Sequence, residues 1–123
     1  MKVYVGHSKN INYIDELYKS IRDLDKNISD NFILPHEKSN KNKNNRDFYS
    51  NLDLFIAEVS EKGTGLGIEL GFAYDSNVPI VCISKKGKKT SSSLKYITDE
   101  FYEYETIDEL KELLIMIFNK YKR

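Results

Sequence analysis

Glu69 is the residue on which the chemistry of this sequence turns. It closes the stretch Gly63-Thr64-Gly65-Leu66-Gly67-Ile68-Glu69, which joins a strand-like run at residues 54–59 to Ile68, Leu70, Phe72, Ala73 and Tyr74, a spacing that suits a helix. Between a strand and a helix, the backbone N–H groups of Gly63, Gly65 and Gly67 can converge on an anion, and their missing side chains let a ligand come close. That describes a seat for a phosphate or a ribose; the plainer alternative is a tight structural turn. A carboxylate at Glu69, expected in the first turn of the helix, is comfortable beside the positive helix end. The same position can present it to a crevice as a nucleophile or base.

Other residues could complete such a site. Gly6, His7 and Ser8 follow a short strand, and His36 with Glu37 follows Pro35. An imidazole titrating near about 6.5 can contact a ligand or shuttle a proton. Ser60 opens the segment leading to the glycines. Glu58, on a strand buried on both faces, needs a partner and reads as a hydrogen-bond acceptor for a loop backbone. Cys82 lies inside a strand and reads as inert packing. Tyr4 and Tyr74 read as core or interface aromatics. Lys85, Lys86, Lys88 and Lys89 read as a solvated loop, or as a field drawing a phosphate toward residues 91–93.

The elements that must position these groups alternate. Val3-Tyr4-Val5 is an apolar strand closed by Gly6, and Ile11, Ile14, Leu17, Tyr18, Ile21 and Leu24 collect on one face of a helix. Phe32-Ile33-Leu34, residues 54–59, residues 79–84 and residues 101–104 supply four more strands. A short helix is expected at 46–51 and a helical turn at 94–97, and residues 38–45 read as a polar surface loop. Thr106 caps a last helix whose apolar face is Ile107, Leu110, Leu113, Leu114, Ile117, Phe118 and Tyr121. Apolar strands alternating with helices specify an α/β fold: a five-stranded parallel sheet, doubly wound in the flavodoxin or Rossmann manner, with residues 1–123 as one domain. In such sheets ligands bind beyond the carboxyl ends of the strands, where strand order reverses. That points to residues 6–10, 35–37 and 60–69.

Composition narrows the function classes. The 123 residues are 40% hydrophobic and 31% charged, a mixture that folds unaided, and 19 basic residues balance 19 acidic ones. A net charge of zero supplies no field for a nucleic-acid polymer or an anionic membrane. One cysteine and two histidines make a metal-free protein the expectation, and the sequence has neither a signal-like N-terminus nor an apolar span, so a cytoplasmic protein is expected.

One pattern is more specific than these. Asp53-Leu-Phe-Ile-Ala-Glu58-Val-Ser60, then Gly65-Leu-Gly67-Ile-Glu69-Leu-Gly71-Phe-Ala73, then Pro79-Ile-Val-Cys-Ile resembles the nucleoside 2-deoxyribosyltransferase superfamily, which includes the deoxynucleoside 5′-monophosphate N-glycosidases. The resemblance implies that Glu69 attacks the anomeric carbon of a nucleoside or nucleotide, with no cofactor. It implies that Gly6, His7 and Ser8 face the sugar or its 5′ substituent, that Thr64 sits where the phosphate-binding branch has a hydroxyl, and that Ser93 reaches a neighbouring subunit's site in a homodimer or larger assembly. The catalytic members carry an aspartate about two helical turns before the residue matching Asp53. Here Asn45 occupies that register, as a substrate-contacting amide, and Asp47 replaces the acid through a local gap, with Glu61 and Glu37 as further candidates. Two function classes follow: an N-glycosidase or deoxyribosyltransferase, and a nucleotide-sensing module that has lost catalysis. An NAD-cleaving domain of the Toll/interleukin-receptor kind is opposed by the glycine pattern before Glu69.

Overall fold

Runs of apolar residues without alternation belong in strands covered on both faces. In the computed structural model, which describes residues 1–37 and 46–122, β1 (Val3–His7), β2 (Phe32–Ile33), β3 (Leu54–Glu58), β4 (Ile80–Lys85) and β5 (Phe101–Tyr104) form one all-parallel sheet. The strand order is β2-β1-β3-β4-β5. β1 and β3 are buried along their whole length, whereas in β5, at the sheet edge, only Tyr104 is buried. The expected α/β architecture is therefore the one observed. The chain leaves β1 toward one edge and returns to add β3 on the other side, so strand order reverses between β1 and β3 and a crevice opens at their carboxyl ends.

Side chains that alternate along each strand divide the core into two layers. Val3, Val5, Leu54, Ile56, Val81 and Ile83 pack with Leu17 and Ile21 and with Leu110, Leu114 and Ile117 of α5 (Ile107–Tyr121). Tyr4, Phe55, Ala57, Ile80 and Cys82 face the other way, against Tyr49 of α3 (Arg46–Ser50) and Leu66, Leu70 and Ala73 of α4 (Thr64–Asp75). Thr106 caps α5 as expected, its hydroxyl and the Glu109 carboxylate completing a reciprocal capping box.

The first helix departs from the expected pattern. Residues Tyr13–Tyr18 are π-wound and run directly into α1 (Lys19–Arg22), and a four-residue α2 (Lys26–Ser29) precedes β2. The wider winding changes the angular step per residue, so Ile14 is 63% exposed although Leu17, Tyr18, Ile21 and Leu24 are buried.

Candidate active site

Two close approaches bring the end of β1 against the start of α4. A Cβ on Gly6 would lie 2.6 Å from the Phe55 ring and 3.0 Å from Leu66, so only glycine lets α4 pack this closely. A Cβ on Gly63 would meet Ser8 at 3.3 Å. Gly63 is the N-cap of α4, and the helix begins at Thr64, so Gly65 and Gly67 are helical residues and not parts of a loop. Glu69 therefore stands in the second turn of α4, and the comfort of a first-turn carboxylate does not explain its presence.

Glu69 reaches instead into a cleft of about 650 Å³ lined by His7, Ser8, His36, Tyr49, Thr64 and Gly65 among others. The hydroxyls of Tyr4, from β1, and Tyr49, from α3, both donate to its Oε2, the Tyr49 bond measuring 2.9 Å. Among the described residues Oε1 has no hydrogen-bond partner. Burial pushes the Glu69 pKa above the ordinary carboxylate value, with the two phenols and His36 pulling the other way. Burial and the Glu69 charge push both phenols up, so they remain donors. A half-buried carboxylate with one oxygen held and the other without a partner among the described residues is suited to nucleophilic attack.

The flanking histidines differ. His7 is buried, and its Nδ1 lies 2.9 Å from the Ser8 carbonyl, which can only accept, so Nδ1 carries the proton. The Tyr18 hydroxyl then donates to Nε2 at 2.7 Å and itself accepts the His36 backbone N–H at 3.1 Å. Burial lowers the His7 pKa, which keeps the ring neutral. With both nitrogens engaged and its ring stacked on Tyr13 at 4.4 Å, His7 has no free proton to offer the cleft. His36 is exposed, its ring 5.3 Å from that of His7.

Ser8 is similarly committed, donating to the Lys62 carbonyl at 3.0 Å and accepting the Asn10 N–H at 3.1 Å. Ser60 lies outside the cleft: its hydroxyl donates to Glu58 and accepts the Lys85 N–H. Gly67 and Ser93 line a separate groove of about 410 Å³ along α4, beside the 3₁₀ turn at Ser92–Tyr96.

The acids proposed to assist Glu69 are not brought to it. Asp47 is exposed on α3 and does not line the cleft. Glu37 is clamped by Arg22 through bonds of 2.8 and 2.7 Å, and Glu61 faces the other groove, 3.7 Å from Lys88. Asn45 lies outside the described residues. Helical periodicity explains the Asp47 outcome: Tyr49 takes the inward face of α3, and Asp47, two positions earlier, is turned away from it.

Tyr4 and Tyr49 are what the sequence reading missed as site residues. A signal existed, because a buried phenol needs a partner for its hydroxyl. Cys82 is buried with its thiol pushed up to about 12, as inert packing should be. Among the described residues no group of three potential ligands could hold a metal, and no helix is long and apolar enough to cross a membrane.

A flavodoxin-like order with a glutamate at the reversal point defines the class of site. Solved structures share the fold. The CMP N-glycosidase BcmB of Clostridium botulinum superposes with a TM-score of 0.61 at 16% identity, over 94% of this chain and 99% of that one. A conserved protein from Enterococcus faecalis V583 does so with a TM-score of 0.60 at 18% identity, over 95% and 98%. No family model and no curated protein matches the sequence.

Proposed function

We propose that this protein cleaves the N-glycosidic bond of a nucleoside or nucleoside 5′-monophosphate, with Glu69 as nucleophile. The observation that carries the reading is the Glu69 carboxylate in the switch-point cleft, its Oε2 held by two phenols and its Oε1 without a hydrogen-bond partner among the described residues. Oε1 bonds to C1′ as the C1′–N bond breaks, and the electron pair leaves with the base, which takes a proton from solvent or from His36 at the cleft mouth. Water then attacks C1′ and releases the sugar and the carboxylate, or a second base takes the sugar in transfer. The N-terminal N–H groups of α4, with Thr64, Gly65 and Lys9 beside them, give a 5′-phosphate a favourable end of the cleft. BcmB, which shares the fold, is a CMP N-glycosidase, and the glycine pattern before Glu69 resembles that of the deoxyribosyltransferase superfamily.

The reading includes a cytoplasmic homodimer in which Ser93 serves the neighbour's site. Support comes from Ser93 being exposed beside α4, in the same 3₁₀ turn as the exposed Tyr96. Sedimentation showing only monomer at micromolar concentration removes that part. A second reading, a nucleotide sensor without turnover, is favoured by one observation: Asp47, Glu61 and Glu37 all stand away from Glu69. Chromatography for free base across nucleosides and their monophosphates, paired with thermal shift, separates the two. Base release supports the enzyme; a raised melting temperature without release supports the sensor; neither sinks both. If the sensor reading holds, Asn45→Asp is expected to create hydrolysis.

A further inference from the structure

Tyr49 is fully buried, and its ring is stacked between Phe55 of β3 (6.4 Å, 22°) and Phe72 of α4 (5.6 Å, 28°) while meeting Tyr4 edge-on at 5.7 Å. Rings on three elements therefore fix the direction of its hydroxyl, which is aimed at Glu69. Of the two phenols on Oε2, Tyr49 also lines the cleft. Resting on the reading of Glu69 as nucleophile, we propose that the Tyr49 hydroxyl is a positioning group that, with Tyr4, holds the Glu69 carboxylate ionised and turns Oε1 toward the cleft.

The physical reason is a balance of two effects. Partial burial favours the neutral acid, which cannot attack C1′, whereas a hydroxyl donated to a carboxylate favours the anion. Two donors on one oxygen also stop rotation of the carboxylate and leave the other oxygen for the substrate. The groups that face Glu69 are Tyr4 from β1, Tyr49 from α3 and His36 after β2, with His7 and Lys9 lining the same cleft and Tyr18 hydrogen-bonded to His7. Tyr49 alone among them comes from α3, the helix in which an assisting acid is absent from the cleft.

The test is titration of the intact protein carrying ¹³C-labelled glutamate, with the Glu69 signal assigned by its loss in Glu69→Gln. Tyr49→Phe keeps the stacked ring and removes the hydroxyl. It is expected to raise the Glu69 midpoint by about one pH unit and to move the acid limb of base release by the same amount, mainly in kcat. A 3-fluorotyrosine at position 49, a stronger donor in the same place, is expected to lower the midpoint and serves if the Phe variant does not fold. A midpoint unmoved in the folded variants overturns the proposal and leaves Tyr49 as packing only. Failure of the wild-type protein to release any base, with the midpoint still moved, overturns the glycosidase reading and not the pairing of Tyr49 with Glu69.

Discussion

Glu58 and Glu69 are both partnered by tyrosine, yet they stand in opposite situations. Glu58, at the end of β3, is fully buried; its Oε1 accepts the Ser60 N–H at 2.6 Å, and its Oε2 accepts the hydroxyls of Ser60 and Tyr104. Both oxygens are spent on closing the sheet end, as its reading as a loop-backbone acceptor anticipated. Glu69 is only partly buried, and its two phenols crowd onto one oxygen. What separates a structural carboxylate from one able to react is therefore not burial or hydrogen bonding as such. It is whether, among the described residues, both oxygens are taken up by partners or one is not, in a side chain that lines a cleft.

The contrast can be broken most forcefully at Glu69. Glu69→Gln keeps size and an acceptor for the phenols but removes the attacking charge, so base release is expected to fall by several orders of magnitude while circular dichroism stays unchanged. Turnover equal to wild type would remove Glu69 as nucleophile. At Glu58 the expectation is reversed. Glu58→Ala strands the Ser60 N–H and the Tyr104 hydroxyl and opens a cavity, costing about 2–4 kcal/mol in urea unfolding. Stability within error of wild type would show that the closed carboxylate does not hold the sheet end.

Smaller effects sharpen the same difference. Tyr104→Phe is expected to cost about 1–2 kcal/mol, because a buried acceptor loses a donor, and to leave the Glu69 titration unmoved. A displaced Glu69 midpoint in that variant would mean the two carboxylates are coupled. The smallest effect is in pH dependence. Burial raises the folded pKa of Glu69 above the ordinary 4.5, so the folded state binds this proton more tightly than the unfolded chain. Its stabilising contribution is full below the unfolded value and is lost as pH rises through the raised folded value. Melting temperatures of Glu69→Gln and wild type should therefore diverge in favour of Gln as pH climbs through that window. Parallel curves would show that Glu69 is not desolvated.

Much of this was legible in the residues. Unalternated apolar runs at Val3-Tyr4-Val5 and Leu54-Phe55-Ile56 read as doubly covered strands, and Thr106 announced the start of α5. The glycine pattern drew attention to Glu69. Less legible was the winding at Tyr13–Tyr18, which exposes Ile14, because periodicity arguments assume an α-helical step. The placement of Gly65 and Gly67 inside α4 was equally hidden, since glycine propensity argues for a turn and a helix there depends on packing of Leu66 and Leu70 against the sheet.

The sequence by itself determined the α/β alternation, the parallel sheet and the candidate nucleophile, because these depend on local periodicity, strand apolarity and a short contiguous motif. Tertiary structure decided which groups meet that carboxylate. Asp47, close to Tyr49 in the chain, is turned out while Tyr49 is turned in. Tyr4, far away in sequence, reaches the same oxygen because β1 and β3 pair side by side and Gly6 lets α4 settle on them. Contacts of that kind follow from register and close packing between distant segments, and no window of the sequence contains both partners.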